Sequence, residues 1–78
     1  MPISTHDIRQ ALLANDPEFR RLAEEHSRCE VLLEQIVTQS YMNSEDLLEE
    51  ITLKKTKLRL KDQMEMLVAR HQRLTAHP

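Results

Sequence analysis

Two long stretches of the chain place apolar side chains, with a few polar ones among them, alternately three and four residues apart. The first stretch has this spacing at Phe19, Leu22, His26, Cys29, Leu33 and Ile36. The second has it at Leu53, Lys57, Leu60, Met64, Leu67, His71 and Leu74. Such spacing puts the side chains on one face of an α-helix and, when repeated, is typical of a coiled-coil seam. The pattern predicts two long helices that pack against each other.

The composition agrees with an all-helical fold. The chain has no glycine or tryptophan, and its only aromatic residues are Phe19 and Tyr41. Sheet-containing folds need glycines at turns and β-branched or aromatic residues in strands. Leu, Glu, Lys, Arg, Gln, Ala and Met are the good helix formers and are abundant here. At 78 residues the chain is expected to form a single all-α domain.

The N-terminal part contains two helix-start signals. Thr5 is a candidate N-cap for a short helix over about 6–14. Asp16 can cap a second helix, and Pro17 suits the first helical position, where its missing N–H is not needed. A second helix over about 17–39 is therefore predicted to follow the first after a sharp bend.

A break in the pattern separates the two long helices. Residues 40–44 interrupt the spacing, and the turn is expected to centre on Tyr41 and Met42. Ser44 is a good N-cap for a third helix over about 45–75. Because a loop this short joins antiparallel neighbours, the predicted fold is an antiparallel, coiled-coil-like helical hairpin preceded by a short N-terminal helix.

The third helix has more apolar surface than the hairpin can cover. Leu47, Ile51 and Leu58 lie more than about 120° around the helix from its seam. The short first helix leaves the far end of the hairpin and is expected to pack near Leu67 to Leu74. A single small core rarely contributes more than about 3–5 kcal/mol. We therefore expect self-association through these three residues, as a dimer by symmetry statistics, with a tetramer as the alternative.

A basic run covers residues 54–61 with five positive charges: Lys54, Lys55, Lys57, Arg59 and Lys61. Such a run can bind the phosphates of RNA or DNA. No aromatic residue interleaves it to stack bases. Acids also lie opposite the run in the expected hairpin register: Glu24, Glu25, Glu30 and Glu34. Ion pairing across the hairpin and solvation are the favoured interpretation, and nucleic-acid binding is the alternative.

The sequence gives little support for a catalytic or metal-binding site. His26 and Cys29 are spaced to share a metal, but a zinc site requires three or four ligands. His71 is expected near Leu12, and therefore more than about 20 Å from His26 and Cys29 along the hairpin. The chain lacks a glycine-rich loop, a Ser/His/Asp arrangement and paired carboxylates with a pocket. We therefore predict no catalytic residues, no metal, no cofactor and no enzymatic activity.

The remaining features bear on cellular location. A single cysteine suits a reducing cytosol, and no apolar run is long enough for a transmembrane helix. The N-terminus has no basic segment followed by an apolar run, so no secretory signal is expected. The net charge is -2, so the chain as a whole is not a polycation. These features predict a cytoplasmic protein that does not engage membranes.

Two segments carry a family resemblance. Residues 15–26 resemble the NPxFxxLxxxH opening of the YdcH-like family, with Asp16 inserted between Asn15 and Pro17. Residues 53–64 resemble that family's LKKxKLxLKDxM segment. The matching residues are Pro17, Phe19, Leu22, His26, Leu53, Lys54, Lys55, Lys57, Leu58, Leu60, Lys61, Asp62 and Met64. Cys29 departs from the family, which usually has Leu there, and the turn lacks the family's frequent Gly.

This resemblance implies a small bacterial protein that forms a helical hairpin, and the family has no established activity. The sequence therefore predicts a cytosolic protein–protein interaction module that associates with itself and with an unknown protein partner. The alternative is an RNA- or DNA-binding hairpin that uses residues 54–61.

Overall fold

The computed structural model describes residues 4–39 and 43–76 and forms three helices. These are α1 (Thr5–Asn15), α2 (Pro17–Val37) and α3 (Ser44–Ala76). The described residues contain no strand, and the predicted all-α fold is confirmed. The molecule measures 55 × 21 × 17 Å. Its long dimension is close to the length of α3 alone, about 50 Å at 1.5 Å per residue.

α2 and α3 pack antiparallel. Glu18, at the start of α2, lines a cavity together with Leu74, near the end of α3. Leu33, farther along α2, lines a groove together with Lys54, nearer the start of α3. The helix pair is therefore the hairpin that the seam pattern predicted.

α1 begins one residue earlier than the sequence suggested. The Ser4 hydroxyl oxygen accepts a hydrogen bond from the backbone N–H of Asp7 at 3.1 Å, so Ser4 is the N-cap. The cap predicted at Thr5 is wrong, since Thr5 already belongs to the helix. Both residues have a hydroxyl that can cap a helix, and the extended backbone at Ser4 decides between them.

The bend between α1 and α2 is closed by hydrogen bonds on both sides. The Asp16 carboxylate accepts from the backbone N–H of Glu18 at 2.9 Å and of Phe19 at 3.3 Å, as an N-cap does. The Arg20 guanidinium donates to the carbonyl oxygens of Leu13 at 3.1 Å and Ala14 at 3.3 Å. It thereby satisfies carbonyls at the end of α1 that have no partner within that helix.

The start of α3 also differs by one residue from the prediction. The side-chain oxygen of Asn43 accepts from the backbone N–H of Asp46 at 2.8 Å, and the Asp46 carboxylate accepts from the backbone N–H of Asn43 at 3.2 Å. This reciprocal pair is a capping box. The cap predicted at Ser44 is therefore wrong, because Ser44 is the first helical residue. Tyr41 and Met42, on which the turn was predicted to centre, lie outside the described residues.

The core lies at the end of the hairpin that carries α1. One buried cluster joins all three helices: Ile8, Leu12, Phe19, Leu22, Cys29, Leu60, Met64 and Val68. Leu53 and Leu67 are half-buried and pack against it. Leu33 and Ile36 are also buried, farther along α2. Ile8 and Leu12 seat α1 in this core, which explains how so short a helix is held.

The seam of α3 departs from the predicted spacing near its C-terminal end. Val68, which the pattern missed, is 6% exposed, whereas Leu74 is 70% exposed. The buried positions Leu60, Met64 and Val68 follow one another at intervals of four. An α-helix has 3.6 residues per turn, so a strict seven-residue repeat drifts by about 20° per heptad along a straight helix. The buried positions of α3 therefore do not keep the alternating spacing of three and four residues.

Candidate interaction surface

An apolar stripe runs along the outer face of the first half of α3. Its members are Leu47, Ile51 and Leu58, which are 51%, 51% and 60% exposed. Their spacing of four and seven residues places them within about 40° of one another around the helix. The core residues Leu60 and Met64 lie on the opposite side and are buried. We call these three residues the outer stripe.

Neither α1 nor α2 covers the outer stripe. α1 packs at the other end of the hairpin, where Leu12 shares a cavity of about 170 Å³ with Leu67, His71 and Leu74. This is the position that the sequence predicted for α1. Leu48, which the sequence reasoning missed, is also exposed beside the stripe. Its neighbours four and seven residues farther along, Thr52 and Lys55, are polar, so the apolar periodicity gave only a weak signal for it.

A groove of about 290 Å³ lies between α2 and α3 next to the outer stripe. It is lined by His26, Leu33, Lys54, Lys57, Leu58 and Lys61. Leu58 therefore belongs to both the stripe and the groove. Leu33 and Leu58 contribute apolar surface to the groove, and its three lysines contribute positive charge.

The five residues of the basic run do not form one surface. Lys54, Lys57 and Lys61 line the groove. Lys55 and Arg59 are exposed and lie on average roughly 150° around the helix from those three. A phosphate backbone that follows the groove would meet only the first set. The sequence showed the charges but not the groove that three of them line.

The ion pairs predicted across the hairpin are absent from the described part of the chain. There, every ion pair that involves Lys or Arg joins residues four apart on one helix, as Lys54 and Glu50 do at 2.7 Å. Four of the five residues of the basic run make no ion pair in this part of the chain: Lys55, Lys57, Arg59 and Lys61.

The predicted cross-hairpin pairing was wrong because local neighbours compete for the same acids. Glu25 pairs with Arg21 at 3.1 Å, and Glu30 pairs with His26 at 2.9 Å, each one turn away on α2. Residues four apart on a helix are already within reach of each other. Most of the basic run is instead exposed to solvent, which agrees with the solvation that the sequence analysis expected beside ion pairing.

His26 has an incomplete set of partners. Its Nδ1 lies 2.9 Å from a carboxylate oxygen of Glu30. Its Nε2 is buried and has no hydrogen-bond partner among the described residues. Cys29, one turn farther along α2, is a buried free thiol. Within residues 4–39 and 43–76, no three His, Cys, Asp or Glu side chains come together as metal ligands.

In the part of the chain that the structure covers, no helix is both long enough and apolar enough to cross a bilayer. A family model described as a protein of unknown function (DUF465) matches residues 19–68. The match includes the outer stripe and the groove and leaves out α1. No curated protein and no solved structure matches the chain.

Proposed function

This chain belongs to the DUF465 family of unknown function, and we propose that it is a protein–protein interaction module that associates with itself through the outer stripe. The observation that carries the proposal is the exposure of Leu47, Ile51 and Leu58 on a helix whose opposite face is filled by its own core. A helix that is apolar on two sides needs a second partner for the side that its own fold leaves open.

The energetics of burying the stripe are consistent with association. Full burial of a Leu or Ile side chain stabilises by about 1.5–3 kcal/mol. Each stripe residue is half or more exposed, so three from each of two copies contribute roughly 5–9 kcal/mol. Association costs about 4–15 kcal/mol in lost translational and rotational freedom. The stripe therefore supplies a large part of what a dimer requires, and polar contacts around it decide its strength.

The proposal has further parts that the sequence supports. The motifs at residues 15–26 and 53–64 favour placing the chain among the YdcH-like bacterial proteins. The buried single thiol of Cys29 suits a reducing cytoplasm. We also propose a binding role rather than catalysis. The supporting observation is that the groove is lined by apolar side chains and lysines, together with His26.

A charged substitution in the stripe tests the proposal. Leu58→Asp is expected to convert the wild-type dimer into a monomer in size-exclusion chromatography with light scattering, with its circular dichroism unchanged. Met66→Asp is the matched control, because Met66 is a comparably exposed apolar residue on α3 outside the stripe. This control is expected to retain the dimer mass. A monomeric wild-type protein at 100 µM, or a Leu58→Asp variant of unchanged mass, would contradict the proposal.

The groove supports nucleic-acid binding as a second candidate function. Lys54, Lys57 and Lys61 line one groove, and the latter two have no acidic partner among the described residues. Three lysines along a groove can follow a phosphate backbone, and their contribution would weaken steeply with salt.

A pair of double variants tests this second candidate by fluorescence anisotropy with mixed RNA and DNA oligonucleotides at 50 mM salt. Lys57→Gln with Lys61→Gln removes two groove charges. Lys55→Gln with Arg59→Gln removes two charges away from the groove. Groove binding predicts a weaker affinity and a salt slope lower by about two for the first pair alone. Absence of binding by the wild-type protein at high micromolar concentration excludes this function.

A further inference from the structure

We propose that two copies pair through α3 in antiparallel orientation, with Leu47 of one copy opposite Leu58 of the second copy. This inference rests on the self-association proposed above and specifies its geometry. The occupant of the outer stripe is then the same stripe of another molecule, related by a twofold axis that is perpendicular to the two helices.

The charge sequence of α3 favours this orientation. Residues 45–50 contain four acids and no base: Glu45, Asp46, Glu49 and Glu50. Residues 54–61 contain five bases and no acid. Antiparallel pairing about a point between these segments places each acidic segment beside the basic segment of the second copy. Parallel pairing in register places acid beside acid and base beside base, which is unfavourable at such short range.

The apolar residues fit the same register. When Leu47 lies opposite Leu58 of the second copy, the twofold axis passes between residues 52 and 53. The two Ile51 side chains are then three positions apart, or about 4.5 Å along the helix axis, which is close enough for contact. All three stripe residues of both copies are thereby covered at once. The surface is self-complementary, as a twofold interface requires.

The groove side of α3 gains ion pairs in this arrangement. Glu50 lies on the same side of α3 as Lys54 and Lys57, and antiparallel twofold pairing brings equivalent sides together. Glu50 then lies between Lys54 and Lys57 of the second copy. Lys57 makes no ion pair within its own chain in the described region. The second copy supplies the acid that Lys57 lacks, and this complementarity points to self-pairing rather than to a foreign partner.

Distances between spin labels distinguish the two orientations. Single-cysteine variants are made in a Cys29→Ala background, with labels at Thr52→Cys and Met66→Cys, both at exposed positions away from the stripe. In the antiparallel dimer, residue 52 lies beside the axis, so its two labels are close. Residue 66 and its counterpart are 27 positions apart, or about 40 Å along the helix. In a parallel dimer both label pairs are close.

The outcomes separate this inference from the function on which it rests. A dimer with a short distance at residue 52 and a long one at residue 66 supports the antiparallel register. A dimer with equal short distances at both positions overturns the register and leaves self-association standing. A monomeric protein overturns both. Light scattering on the same samples identifies the last case.

Charge reversal gives a second test that keeps Cys29 in place. Lys57→Glu alone is expected to raise the dimer Kd about tenfold in sedimentation equilibrium at 50 mM salt, because two symmetric pairs are replaced by repulsions. Adding both Glu50→Lys and Lys54→Glu is expected to restore most of the affinity, since residue 50 then again faces two opposite charges and keeps its ion pair with residue 54 within the chain. At 500 mM salt the variants should converge. A triple variant that is weaker than Lys57→Glu alone would overturn the register.

Discussion

The carboxylate of Asp16 accepts a hydrogen bond from the backbone N–H of Phe19, and the Phe19 side chain is only 1% exposed. The residue that caps α2 therefore holds the backbone of the first buried residue of that helix. Phe19 lies in the cluster where all three helices meet. The direction in which the chain leaves the bend and the placement of its largest core side chain are consequently linked.

Loss of the cap is expected to destabilise the whole fold. Asp16→Ala removes the acceptor of the Glu18 and Phe19 N–H groups and should lower the free energy of unfolding by about 1 kcal/mol. Urea denaturation followed by circular dichroism measures this, at one fixed protein concentration because association adds to stability. Asp16→Asn is the control, since asparagine also caps helices well. Equal losses in both variants would show that the cap is not responsible.

The revised seam of α3 leads to a second prediction. Val68→Ala removes buried methyl groups and should cost about 2 kcal/mol through lost burial and the cavity left behind. Leu74→Ala deletes a larger side chain that is 70% exposed and should change stability by less than about 0.5 kcal/mol. The predicted seam, with its alternating spacing of three and four residues, included Leu74 and not Val68, so it predicts the reverse order of the two losses. A thermal melt of both variants decides between the two seams.

Much of the architecture could be predicted because local signals and the apolar pattern agree. The bend at Asp16 and Pro17 combines a cap with a residue that suits the first helical turn. The N-caps Ser4 and Asn43 were each missed by one residue, because neighbouring side chains have similar capping ability. The burial of Val68 could not be predicted, since it depends on how the seven-residue repeat drifts around a straight helix and on where α1 packs.

The exposed outer stripe was predictable in part for a similar reason. Leu47, Ile51 and Leu58 could be located because helical periodicity places them away from the seam. The groove depends on how α2 and α3 pack, so the sequence could not show that Lys54, Lys57 and Lys61 line it. Whether Glu30 contacts His26 or a lysine of α3 likewise depends on three-dimensional geometry.

A third prediction concerns Nε2 of His26. His26→Leu removes a buried Nε2 that has no partner among the described residues, and an unsatisfied buried polar group costs about 1–3 kcal/mol. The lost contact with the half-exposed Glu30 is worth at most about 1 kcal/mol. The variant is therefore expected to be about 1 kcal/mol more stable in urea denaturation. Glu30→Gln measures the contribution of the His26–Glu30 contact separately, and a less stable His26→Leu would show that Nε2 has an important partner.

The last prediction concerns the thiol of Cys29. It is 7% exposed in the core cluster, and a thiolate must reach solvent to attack a disulfide reagent. Labelling of the native protein is expected to require opening of the hairpin and therefore to be orders of magnitude slower than in 6 M urea. A Val31→Cys variant in a Cys29→Ala background is the control, because Val31 is exposed two residues farther along α2. It should react at once, and native Cys29 reacting equally fast would show that the α1–α2–α3 core is open in solution.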